Sequence, residues 1–481
     1  MEKSKLFLTL SSLDLKERKR FSEYVHSPFF NKNEKVQQLC EIMLKAMDQP
    51  KKKPLLKTRV FKKIFKEDHY KEIKLNNVIS DLLQLLQDFL GFVRFREDRI
   101  LQQNLVAREL ISREQYQNFN TVTRRYDQLR AQSEVKNYHF YLSEYEYYEV
   151  LDLLSLSGDK RSYNKALQSK SDMLDLYYFA NKLRIACDMY SRNIVINAGY
   201  EPHFVEDMLD RYEEKFEYYG DILALKLYYV TLKMLREGEE QHYFGLKDFL
   251  EENNRIFPPE ELNTVYSYAL NYCVRKINSG QTHFYAEILS LYKVLLQKEL
   301  LFSNGYLSQW DYTNIITSAM RLNEFDWADE FIHQYKTSLL PDEQFNVYTY
   351  NLTALHFARK DYDKALQLLH EVEFTDPFYH AAAKIIQLKV YFEMQQTEAF
   401  FSLAEAFKQF VNRNRQFSGY QKKSNLNFIR AALWLYKDRL KGEVYKNLDM
   451  SELYQTTRSK IQHLDPLANK AWLDHISENQ G

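Results

Sequence analysis

The chain has 481 residues, 45% of them hydrophobic, more than one hydrophobic core usually serves and too apolar for a disordered polymer. With only 11 Gly and 9 Pro it lacks the turn residues that a sandwich or barrel needs at short intervals, so the expected class is all-α. Its 66 basic residues equal its 66 acidic ones, yet residues 1–74 hold 19 Lys and Arg against 10 Asp and Glu, which sets a basic head on a mildly acidic body.

The N-terminus, Lys3-Ser4-Lys5 followed by Leu6 to Leu13, imitates a secretory signal. Asp14, Lys16, Glu17 and Arg18 end the apolar run, however, and no small-residue cleavage site follows. Leu13 to His26 then reads as a helix opened by Ser11 or Ser12 and stopped before Pro28, because proline disfavours helical geometry in the residue before it. A turn at Ser27-Pro28-Phe29-Phe30-Asn31 leads to a second helical stripe of Val36, Leu39, Cys40, Met43, Leu44 and Met47, broken by Pro50 and Pro54. Val78, Ile79, Leu82, Leu83, Leu85, Leu86, Phe89 and Leu90 form a stripe wide enough to be buried on more than one side. Residues 1–100 are therefore expected to form a small basic helical domain.

From 101 to 261 the pattern is of long tyrosine-rich helices, such as Tyr138 to Tyr141 and Tyr145 to Tyr148, with breaks at Gly158 and Gly199-Tyr200-Glu201-Pro202. Helical hairpins fit the spacing, but no clean repeat emerges, which leaves open whether they are degenerate repeats. Cys40, Cys187 and Cys273 stand far apart with no CxxC pair, so neither a disulfide framework nor a structural zinc site is expected, and a reducing cytoplasm fits best. No stretch approaches the roughly eighteen uncharged apolar residues of a membrane span.

Repetition begins near Leu262. Asn346 to Pro377 reads as a helix ending near Lys360, a turn at Asp361-Tyr362, and a second helix ending before Asp376-Pro377. Ala365 allows close approach of the two helices, Tyr362 wedges the turn, and Pro377 stops the second helix. Counted from Asn346, Leu352 is seventh, Tyr362 seventeenth, Ala365 twentieth and Pro377 thirty-second, with Thr353 and His356 departing from the small residue and the tyrosine usual at their places. Phe325, Ala328 and Pro341 precede this unit, Ile386, Ala399 and Ala406 follow it, and a weaker unit has its turn at Gly280 and Ala286 in its second helix. On these residues 262–411 resembles the tetratricopeptide repeat family, which implies an α-solenoid of helical hairpins; residues 412–481 would form a C-terminal helical cap. Separately, Phe21 to Asn33, with its Ser27-Pro28-Phe29-Phe30-Asn31 turn, resembles the start of a family of uncharacterised bacterial proteins and brings no known activity.

Chemistry leaves few marks. GxGxxG, GxxxxGK, HExxH and GxSxG are all absent, and the 12 histidines are dispersed, so no catalytic residue, metal ligand or cofactor is singled out and the chain is not expected to be an enzyme. The adjacent His370 and Glu371 point about a hundred degrees apart on a helix and read as solvated surface. Tetratricopeptide geometry implies instead a groove lined by first helices, with Val347, Tyr350, Ala354, Phe357 and Ala358 on the inner face of the best unit and Trp310, Thr313, Thr317, Met320 and Arg321 at the corresponding places before it. Phe357, Tyr350 and Trp310 stand out as anchors for a partner peptide or helix, or else pack between neighbouring repeats.

Two basic segments carry the alternative, a nucleic-acid-binding regulator. Residues 51–66 hold eight basic residues and no acid, Lys51, Lys52, Lys53, Lys62 and Lys63 among them. Residues 408–446 hold ten basic residues against two acids, interleaved with Phe410, Phe417, Tyr420 and Phe428, which suits stacking on single-stranded bases. Conversely, residues 201–254 carry fourteen acids against six bases, with Glu213, Glu214, Glu237, Glu239 and Glu240 able to attract a basic partner or to keep a helix solvated.

Overall fold

A computed structural model describes residues 1–47, 55–155, 162–196, 198–371, 376–444 and 450–479. The structure is all-α, as the scarcity of glycine and proline implies, with 24 α-helices among the described residues. The one β feature there is a hairpin of two two-residue strands, Phe302–Ser303 and Tyr306–Leu307, closed by Asn304-Gly305. Both turn residues have positive φ, 52° and 81°, as a two-residue hairpin turn of the primed type requires. The backbone divides into two compact units, residues 1–232 with 255–257, and residues 233–254 with 258–481.

In the first unit the signal-like segment is a structural helix, Lys5–Ser11, whose Leu6 and Leu10 are buried together with Leu13. Ser11 and Ser12 close this helix rather than open the next. The helix Leu15–His26 is opened by Asp14, whose carboxylate accepts from the Glu17 amide at 2.7 Å while Glu17 accepts from the Asp14 amide at 2.9 Å. This capping box satisfies two otherwise orphaned donors. In the turn that follows, the Asn31 side chain donates to the Val25 carbonyl at 2.8 Å, and Phe30 stacks on Tyr24. The wide stripe after Glu72 buries Val78, Leu82, Leu86 and Phe89 on one face, whereas Leu90 is exposed. One core joins these residues to Phe21, Val25, Leu39, Cys40 and Phe61.

Farther along the same unit the long helices Tyr138–Ser155 and Lys165–Ile196 pack against each other. Here tyrosines supply core volume: Tyr126 stacks on Tyr147 at 3.9 Å between ring centres. The Tyr126 hydroxyl reaches the buried Glu144 carboxylate, which Arg130 Nε holds at 2.8 Å. Burial pushes the Glu144 carboxyl up against the opposing pull of Arg130. The break expected at Gly199 falls between helices, with φ of 73°; Gly158 lies outside the described residues.

Hairpins follow one another in the second unit: Pro259–Asn278 with Phe284–Gln297, Gln309–Arg321 with Phe325–Gln334, Pro341–Ala358 with Tyr362–Glu371, and Pro377–Glu393 with Thr397–Arg413. The helix Pro341–Ala358 packs against its own partner and against the first helices of the hairpins before and after it. Each intra-hairpin turn passes through one left-handed residue, Gly280, Asn323, Lys360 or Gln395. After each, the next amide reaches five residues back, as Asp361 does to the His356 carbonyl at 2.9 Å, closing the six-to-one bond of a Schellman cap.

Two details of the repeat differ from the sequence reading. Pro377 opens a helix rather than stopping one, with Asp376 capping the amides of Phe378 and Tyr379; Pro259 and Pro341 likewise stand in first turns, where the missing N–H costs nothing. Ala399 is not the counterpart of Ala365. Aligning the turns at Lys360 and Gln395 puts Phe400 at the close-packing position, where it is fully buried and stacks on Tyr436 at 4.3 Å. A large residue fits there because the helix Gly419–Val444 packs onto this last hairpin and, with Met450–Gln462 and Lys470–Asn479, shares its core.

Candidate functional site

Three consecutive first helices of the second unit, Gln309–Arg321, Pro341–Ala358 and Pro377–Glu393, line a pocket of about 680 Å³. That volume lies in the range of sites that bury a ligand. The first helix contributes Thr317, Met320 and Arg321, and the second Tyr350, Ala354, Phe357 and Ala358. Those seven are residues that the repeat register singles out. The third contributes Ala382, Ile385, Ile386 and Lys389, and a fourth wall comes from Asn469, Ala471, Trp472 and His475 at the start of the last helix.

The other three expected groove residues lie elsewhere. Val347 is completely buried between helices. Thr313 accepts from the Asn351 side chain at 3.1 Å, and Trp310 is 70% exposed, outside the pocket lining. Trp310 stands in the first turn of its helix, about two turns before Thr317, and so misses the concave part. Tyr350 reaches the next hairpin, whereas Phe357 packs on the second helix of its own hairpin. Tyr350 packs edge-on against Tyr379 at 5.5 Å, and Phe357 against Tyr362 at 5.8 Å, while each also lines the pocket.

Lys389 is the residue that the sequence reading missed. It is 8% exposed, and its ammonium lies 5.7 Å from the Phe357 ring centre and 5.6 Å from that of Trp472. It donates to Asn469 Oδ1 and forms no ion pair among the described residues. Glu393, one turn further along the helix, accepts the Trp472 indole N–H at 3.2 Å. Burial, reinforced by the neighbouring Arg321 guanidinium, pushes the Lys389 amine down to about 7. The signal was in the register: aligning Lys360 with Gln395 pairs Tyr350 with Ile385 and Ala354 with Lys389. The wall from the C-terminal helix had no signal of this kind, since it belongs to no repeat.

The basic head looks different once folded. Lys51, Lys52 and Lys53 lie outside the described residues. Lys62 pairs with Asp68 at 2.9 Å and Lys57 with Glu72 at 2.8 Å, while Lys63 is exposed. Acids that follow the basic run in sequence are thus folded back onto it. In the second basic segment, Phe417 and Phe428 are buried and Phe410 is half-buried against the same core, leaving Tyr420 as the exposed aromatic.

The acidic stretch is also used internally, Glu213 accepting from Tyr229 at 2.7 Å and Glu237 pairing with Lys233 at 3.1 Å. Oxygen and nitrogen atoms of Glu237, Glu239 and His242 come within 4.8 Å of one another, but His242 and Lys233 already occupy Glu237. All three cysteines are buried, and burial pushes the thiols of Cys40 and Cys273 up to about 12, far from a reactive thiolate. No described helix is long and apolar enough to cross a membrane. Compared with protein-family models, curated proteins and solved structures, the chain matches none.

Proposed function

We propose that this chain is a non-enzymatic, cytoplasmic interaction scaffold or adaptor whose hairpins between residues 262 and 411 stack as a tetratricopeptide-like α-solenoid and hold a peptide or helix of a protein partner. In this reading residues 1–100 are an accessory helical domain, 101–261 further hairpins, and 412–481 a cap that closes one side of the groove. It acts by binding, with no cofactor. One observation carries the reading: seven residues chosen by repeat register alone converge on a single concave pocket, with half-buried aromatic faces turned into it. Such a surface, aromatic and aliphatic faces mixed with as much polar area, suits capture of an extended or helical segment.

Affinity capture with the tagged full chain from its own cells, with and without nuclease, tests this. Ala354→Phe fills the pocket from a half-buried position, and Trp310→Ala serves as a surface control. The expected result is a nuclease-resistant protein recovered by the native chain and by Trp310→Ala but lost by at least tenfold with Ala354→Phe, helix content being unchanged. Recovery indifferent to Ala354→Phe would overturn the groove. Nucleic acid in the eluate, with proteins lost after nuclease, would move the basic segments forward instead.

A further inference from the structure

The pocket is lined by two basic side chains, Lys389 and Arg321, and by no carboxylate. Lys389 sits on its wall with an apolar stem among Phe357, Ile385 and Trp472, and Arg321 stands across from it on a different helix. An ammonium removed from water is normally paired with an acid, because desolvation of an isolated charge is expensive. Here Asn469 takes one of the three N–H donors of Lys389, and no other acceptor among the described residues takes the remaining two. Arg321 forms no ion pair there either, and its guanidinium lies 5.9 Å from the Tyr285 ring centre. The nearest acid along the Lys389 helix, Glu393, is engaged by Trp472.

The C-terminal helix that forms the fourth wall is not a displaceable occupant, since Leu473 and Ile476 are buried in the core beneath it. Among the described residues, nothing fills the space in front of Lys389.

We infer that Lys389 and Arg321 form an anion-reading point in this pocket, which accepts the side-chain carboxylate of an acidic residue flanked by apolar ones in the docked partner segment. The inference rests on the groove reading and adds its chemistry. Charge complementarity selects the occupant: the lining cations are unopposed, and the surrounding Tyr350, Phe357, Ile386 and Trp472 ask for apolar neighbours on either side of the acid. A carboxylate here would receive charge-assisted hydrogen bonds from both helices and restore the pairing that the buried ammonium lacks.

The test uses the full chain and fluorescein-labelled, C-terminally amidated pools of short Leu/Ala/Phe peptides, each carrying one central glutamate, together with twin pools carrying glutamine there. Fluorescence polarisation should show the glutamate pools bound about tenfold more tightly, the scale of one charge-assisted contact. That ratio should fall to about one in Lys389→Met and be reduced in Arg321→Gln, whose side chain is at the exposed mouth. Equal binding of both pools by the native chain would overturn the inference and leave the groove standing, as would a glutamate preference that survives Lys389→Met. Displacement of the glutamate pools by low-millimolar inorganic phosphate would overturn the peptide assignment in favour of a small-anion site. Binding of neither pool would overturn the groove reading and this inference together.

Discussion

Lys389 is the residue on which most turns, because its environment opposes its charge. The unfolded chain holds this proton up to about the ordinary value of 10.5, whereas the folded chain releases it at about 7. Between those values the unfolded state binds more protons, so this group makes stability rise with pH across the window and lowers it in full below. Replacing the lysine by methionine keeps the stem and removes the charge. Denaturant titration of Lys389→Met should show a gain of about 2–4 kcal/mol near pH 6, shrinking towards zero as the pH approaches 10. A loss of stability at the lower pH would mean that an acid partner pairs with the ammonium after all. At the same scale, Ala365 was readable as a contact residue from sequence, and it is fully buried. Trp310 was not readable as exposed, because periodicity marks a helix face but not which end of the helix the concavity reaches.

Among elements, the recurring unit is a helix, a Schellman turn through one left-handed residue, and a second helix. Only one of the four turn residues is glycine, so the commonest signal for such a cap is missing at Asn323, Lys360 and Gln395. For this reason the turn register was harder to see than the alanine spacing, and the spacing misplaced Ala399 by one residue. Left-handed backbone costs a side-chain-bearing residue about 1 kcal/mol or more, which glycine avoids apart from its greater freedom when unfolded. Lys360→Gly and Gln395→Gly are both exposed changes and should each raise the unfolding midpoint, by about 0.5–1 kcal/mol equivalent. Unchanged or reduced stability in both would contradict the cap geometry. Prolines show the complementary lesson. Pro341 and Pro377 were legible as helix boundaries, but a boundary proline is equally consistent with the end of one helix and the first turn of the next, and the Asp376 cap decides for the latter.

For the whole molecule, the all-α class was legible because glycine and proline counts constrain every turn at once. The basic head was legible only as a linear fact. Within it, the run 51–66 reads as wholly basic because a window ending at Lys66 excludes Glu67, Asp68 and Glu72, which pair with Lys74, Lys62 and Lys57. The pocket was partly legible: two of its walls follow from repeat register, a third follows once the turns are aligned, and the fourth comes from a helix some eighty residues beyond, for which no local pattern exists. The hairpins thus place side chains from distant parts of one unit around a shared concavity, and the candidate function belongs to that concavity rather than to any one motif.

The most direct test is hydrogen–deuterium exchange of the full chain with and without its captured partner. Protection concentrated on residues 317–321, 350–358 and 382–389, with the head unaffected, is the expected result. Protection confined to the basic head, or to helices outside the pocket, would contradict the assignment of binding to this groove.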